Sequence, residues 1–86
     1  PAVPAPAIDG AVIAIKGDAK SQLVLLGVGE NRRVEPGFEF TIYPGNQFVG
    51  KVRVERVLRD AAGCRVLFLA KDQKVRPGDL AATRLQ

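Results

Sequence analysis

The chain has no histidine, no methionine and no tryptophan, and only one cysteine among its 86 residues. Without histidine it lacks the commonest general base and metal ligand, and no Ser-His or Cys-His pair can be assembled. A lone Cys64 excludes an internal disulfide and gives no reading of the compartment. Its apolar surroundings in "CRVLFLA" point to a buried structural thiol rather than a reactive one. Aliphatic hydroxyls are confined to Ser21, Thr41 and Thr83, with no basic partner at a telling spacing. No apolar run approaches the roughly 20 residues that a membrane-spanning helix requires. A glycine-rich "GVGENRR" lacks the GK[ST] ending of a phosphate loop, and no helical pattern follows it. The chain therefore reads as non-catalytic, with no cofactor and no metal expected.

What is present is glycine, proline and short apolar runs. "PAVPAPA" favours an extended polyproline II spacer, so residues 1–9 read as a linker and residues 10–86 as one small domain. With Pro1 in the first position, a fragment of a longer protein is expected. Beyond the linker, "AVIAI" (11–15), "QLVLLGV" (22–28), "FEFTIY" (38–43), "FVGKVRVERVLRD" (48–60), "CRVLFLA" (64–70) and "LAATRL" (80–85) read as strands. Phe38, Phe40 and Ile42 alternate with Glu39, Thr41 and Tyr43, the period of a half-buried strand. In the fourth strand the phase slips after Val54, and a bulge near Glu55–Arg56 would return Val57 to the interior. Gly17 and the Pro44-Gly45 step supply the backbone freedom that tight turns need.

No stretch carries helical periodicity, so the expected fold is all-β: a six-stranded SH3-like barrel, with an OB-like barrel as the alternative. Its expected core is Ile13, Leu25, Phe38, Phe40, Ile42, Val52, Val54, Val66 and Phe68. Two Val-x-Pro-Gly steps, at Val34 and Val75, read as matching corners that enter the third and sixth strands. Whether they mark two related halves or merely recurrent turn chemistry stays open. Asp79, just after the second corner, is expected to cap the turn.

Two surfaces are candidates for binding. "LVLLGV" and "VLFLA" carry more apolar residues than a small barrel can turn inward, which nominates Leu26, Leu67 and Leu69 as an interaction patch. The net charge of +4, from 13 basic and nine acidic residues, permits polyanion binding. Lys51 and Arg53 share an outward face, and Arg65 is expected opposite them on the hairpin partner. Glu39 and Glu55 interrupt this positive field. Self-association or a protein partner is favoured over nucleic acid, and membrane insertion is not expected.

The run from Val24 to Leu85 has a recognisable cast: an approach through Gly29, Val34 and Gly37, the "FTIY" strand, the "VGKVRVERV" strand and the closing "VRPGD" corner. It resembles the small C-terminal β-barrel of flagellar assembly protein T and kindred domains of planctomycete and other bacterial envelope-associated proteins. The resemblance implies a non-catalytic barrel acting in envelope-associated assembly, in the periplasm or cell envelope. It assigns no functional residue.

Overall fold

The computed structural model describes residues 4–18 and 21–84. Six strands form between the glycine and proline breaks: β1 (Asp9–Lys16), β2 (Leu23–Leu26), β3 (Glu39–Tyr43), β4 (Gly50–Val57), β5 (Ala62–Leu69) and β6 (Leu80–Ala82). They close in the order β1-β2-β5-β4-β3-β6, with every neighbouring pair antiparallel. The fold is all-β, a closed barrel consistent with the small SH3-like and OB-like class. The helical content of the described residues is one 3-10 turn, Glu30–Arg32. Closure leaves no sheet edge, so every strand finds backbone partners on both sides.

The interior is filled by side chains from alternate positions, chiefly β-branched ones. Phe40, Leu26, Ile42, Val12, Val24, Val49, Val52, Val54 and Cys64 are sealed from solvent. Fully burying an aliphatic or phenyl side chain stabilises by about 1.5–3 kcal/mol, so these positions dominate stability. Phe38, Phe40, Ile42, Val52 and Val54 lie inside as expected.

Four expected core residues do not. Ile13 is an extra residue in β1, between the pairs Val12↔Leu26 and Ala14↔Leu25, and this bulge turns it outward to 52% exposure. Phe68 is displaced in the same way. β5 carries an extra residue, Leu67, between Lys51↔Phe68 and Val52↔Val66, so Phe68 faces solvent beside Lys51 and Val66 is only half-buried. Leu25 is half-buried because β2 turns Val24 and Leu26 inward, the choice that an all-apolar strand leaves open. The bulge foreseen in β4 is present: the register shifts between Val54 and Arg56, and Val57 packs against the core.

β6 is shorter than the sequence suggests. After Ala82 the chain turns back to the N-terminal segment: Thr83 N–H donates to the Ile8 carbonyl (3.0 Å), and Ile8 N–H donates to Thr83 Oγ1 (2.9 Å). Thr83 Oγ1 in turn donates to the Pro6 carbonyl at 2.6 Å. Ile8 is buried in the core and Asp9 opens β1, so the barrel takes in the last two residues of the segment read as linker. Leu85 and residues 1–3 lie outside the described residues.

The two Val-x-Pro-Gly steps do enter β3 and β6, and they are built alike. Gly37 and Gly78 have φ of 93° and 96°. Gly37 N–H donates to the Val54 carbonyl and Val54 N–H returns a bond to Phe38; Gly78 and Asp79 make the same two bonds with Val12. Val34 and Val75 are both buried beneath their corners. The equivalence extends to the whole barrel. β1-β2-corner-β3 superposes in topology on β4-β5-corner-β6, each with a bulge after its core valine, at Ile13 and at Glu55. A pseudo-two-fold axis passes through the pair Leu25↔Gly63 between β2 and β5 and through Thr41↔Ala82 between β3 and β6.

Candidate interaction surface

Of the three leucines nominated as a patch, Leu26 is wrongly placed. It pairs with Val12 and Ala62 and is completely buried, because β2 directs Val24 and Leu26 into the barrel. Leu67 and Leu69 are exposed, at 39% and 37%. The bulge at Leu67 brings Phe68 out between them, so three consecutive large apolar residues face water. Phe48, at the end of the β3–β4 connection, packs its ring against that of Phe68 with centroids 5.5 Å apart and planes tilted by 43°. Sequence reasoning placed Phe68 in the core and included neither phenylalanine in the patch. The apolar excess in "VLFLA" was the available signal, but not which residues it would expose.

Lys51, Arg53 and Arg65 are brought onto one outer face, with Arg53 and Arg65 directly paired across β4 and β5. Each has a carboxylate within reach. Arg53 donates to Glu39 Oε2 at 2.8 Å, Lys51 Nζ lies 4.0 Å from Glu39 Oε1, and Arg65 Nε lies 3.0 Å from Glu55 Oε2. Three cations beside two carboxylates leave little net field. Arg84 lies beside the strip, lining a cleft with Lys51, Glu39 and Thr41. The other basic loop residues are divided between the two ends of the barrel. Arg32 and Arg33 sit on the β2–β3 connection, beside the β4–β5 turn, where Glu30 N–H donates to the Leu58 carbonyl. Lys71, Lys74 and Arg76 follow β5, which ends beside Gly50 at the opposite end of the barrel.

A groove of about 560 Å³ lies where the pseudo-two-fold axis leaves the wall, lined by Leu23, Leu25, Leu58 and Gly63 together with the charged Lys16, Glu55 and Arg56. Among the described residues no three His, Cys, Asp or Glu side chains converge on a metal position, and no buried side-chain nitrogen or oxygen lacks a hydrogen-bond partner. Cys64 is sealed in the core. Burial, and secondarily the Glu55 carboxylate, push its thiol up to about 12, so at neutral pH it is an inert packing group. Asp79 is the buried carboxylate, and it caps the second corner as expected by accepting from Arg76 N–H at 2.9 Å. None of the described helical segments is long and apolar enough to cross a membrane.

No family model matches this chain, and no curated protein or solved structure is significantly similar to it.

Proposed function

We propose that this barrel is a non-catalytic binding and assembly module that engages a protein partner through the face formed by Phe48, Leu67, Phe68 and Leu69. The observation that carries this reading is the exposed ring pair flanked by two leucines, beside three cations that each have a carboxylate within reach. Contiguous exposed apolar surface on a small domain marks a contact site, and aromatic anchors supply most of the energy of such contacts. Association with the bacterial cell envelope, and hence a periplasmic or envelope location, rests on the sequence resemblance alone.

A photo-crosslinking residue at Phe68, with one at Arg32 as the remote control, tests this in cells that make the full-length protein. The expected result is a discrete adduct from position 68 that disappears when Phe48 is changed to serine. Equal labelling from both positions, or none from position 68, would refute the assignment.

One observation favours a second reading, polyanion binding. Phe68 sits directly opposite Lys51, so the strip of Lys51, Arg53 and Arg65 has an aromatic neighbour of the kind single-stranded nucleic-acid surfaces use for stacking. The ion pairs to Glu39 and Glu55 weigh against it, as does the packing of the phenylalanine rings on each other. Titration against single-stranded DNA at increasing salt separates the two, since phosphate contacts give an affinity that falls steeply with salt. Sub-micromolar binding at physiological salt, lost in Lys51→Glu/Arg53→Glu, would replace the first reading by the second.

A further inference from the structure

The pseudo-two-fold symmetry divides the strands unevenly between their own half and the other. Within each half only one hairpin forms, β1–β2 or β4–β5. The other four interfaces, β2–β5, β3–β4, β3–β6 and β1–β6, all join the halves. β3 and β6 therefore have no partner within their own halves, and neither half can close a barrel by itself. The halves are joined through residues 44–49, of which Pro44–Phe48 are exposed and Val49 is buried and donates its N–H to the Ile42 carbonyl. Gly45 there has φ of 66°, and no heavy atom lies within 4 Å of where a Cβ would stand. Straightening this connection parts the Phe48 and Phe68 rings and the bond from Gln47 N–H to the Pro44 carbonyl, and leaves the side chains of the core in place.

We infer that the partner this barrel is built to accept is a second copy of the same chain, by exchange of halves. In the exchanged dimer β1–β3 of one chain close with β4–β6 of the other. Every strand pair and every core contact is preserved, and only the Pro44–Phe48 connection changes conformation. In the single chain a connection this short holds the halves together at an effective concentration on the order of millimolar, which keeps the closed form dominant in dilute solution. Removing the slack in the connection removes that advantage. The inference rests on the symmetry and the connection; exchange moves Phe48 away from its place in the proposed face, and failure of the exchange would leave that proposal standing.

The experiment deletes Pro44–Gln47, leaving Tyr43-Phe48-Val49 between the paired residues Ile42 and Gly50. A three-residue hairpin wants glycine at its left-handed position, and none remains there. The readouts are molar mass by light scattering and a disulfide between Leu23→Cys and Arg65→Cys, an exposed directly paired couple that spans the halves. The expected product is a folded species of twice the monomer mass, linked between chains under denaturing conditions. A folded monomer with an intramolecular link would overturn the inference.

Should the shortened chain fail to fold, the intact connection still decides. The same cysteine pair is unfolded, refolded at concentrations up to about 1 mM, and oxidised only after folding. A covalent dimer fraction rising with refolding concentration supports exchange; a monomer at every concentration refutes it.

Discussion

Gly29→Ala should be one of the most damaging single substitutions in the protein, although it adds only a methyl group. Gly29 precedes the 3-10 turn of the connection from β2 to β3, where this crosses the β4–β5 turn. A Cβ at this position would overlap the Leu58 carbonyl oxygen and lie 2.6 Å from both the nitrogen and the oxygen of Ala61. These are backbone atoms, so no side-chain rotation relieves the overlap. They are also held in place: Leu58 N–H donates to Ala61 O at 2.8 Å, and Glu30 and Asn31 N–H donate to the Leu58 and Arg59 carbonyls at 2.9 Å.

Accommodating the methyl means shifting the connection, with an overpacking cost of about 1–3 kcal/mol, and weakening two hydrogen bonds worth about 1 kcal/mol each. The total is about 3–5 kcal/mol, a large fraction of the roughly 5–15 kcal/mol that stabilises a typical domain. Gly45→Ala provides the control. Its Cβ meets nothing, and only the left-handed φ costs, at about 1–2 kcal/mol. At about 4–8 °C per kcal/mol for a domain of this size, Gly29→Ala should lower Tm by at least ~12 °C. Urea unfolding followed by circular dichroism should show a lower midpoint at unchanged slope. If Gly29→Ala lost less stability than Gly45→Ala, the close approach described here would be wrong.

The bulge in β1 predicts opposite outcomes at adjacent residues: Val12→Ala should cost about 2 kcal/mol in chemical denaturation, while Ile13→Thr should stay within about 0.5 kcal/mol of wild type. Equal costs would mean that the bulge does not turn Ile13 outward. Asp79→Ala removes the carboxylate that accepts from Arg76 N–H, and a loss of about 1–2 kcal/mol is expected from the same assay. Cys64 links stability to alkaline pH. Its thiol is raised from 9.0 to about 12 in the folded state, so the native protein retains the proton that the unfolded chain releases. This contribution is complete below pH 9 and is lost at about 1.4 kcal/mol per pH unit between 9 and 12. Cys64→Ala should flatten that part of the stability profile relative to wild type, and the wild-type thiol should resist alkylation at neutral pH until the protein unfolds.

Local pattern determined the strands, their breaks and the two corners. Alternation in "FEFTIY" places Phe40 and Ile42 inside because side chains in a strand alternate faces whatever the partner. Valine followed by Pro-Gly makes a corner because proline fixes φ and glycine accepts the positive φ that follows. The phase slip after Val54 announced a bulge for the same local reason. Where both parities are apolar, as in "QLVLLGV" and "VLFLA", the sequence carries no phase, and register across β2–β5 and β4–β5 decided that Leu26 goes in and Phe68 comes out. The exposed Phe48–Phe68 pair follows from that register, which is why it was not legible beforehand.

The two-fold relation, which the repeated corner left open, was obscured for a different reason. Equivalent residues are 42 apart in β1 and β4 (Val12 and Val54), 38 in β2 and β5 (Leu26 and Cys64) and 41 at the corners (Val34 and Val75). Unequal turn lengths shift the frame within each half, and outside the valines and the corners the side chains differ. Backbone hydrogen bonding is indifferent to those side chains, so the symmetry persists in the ladder of pairs after it has faded from the sequence.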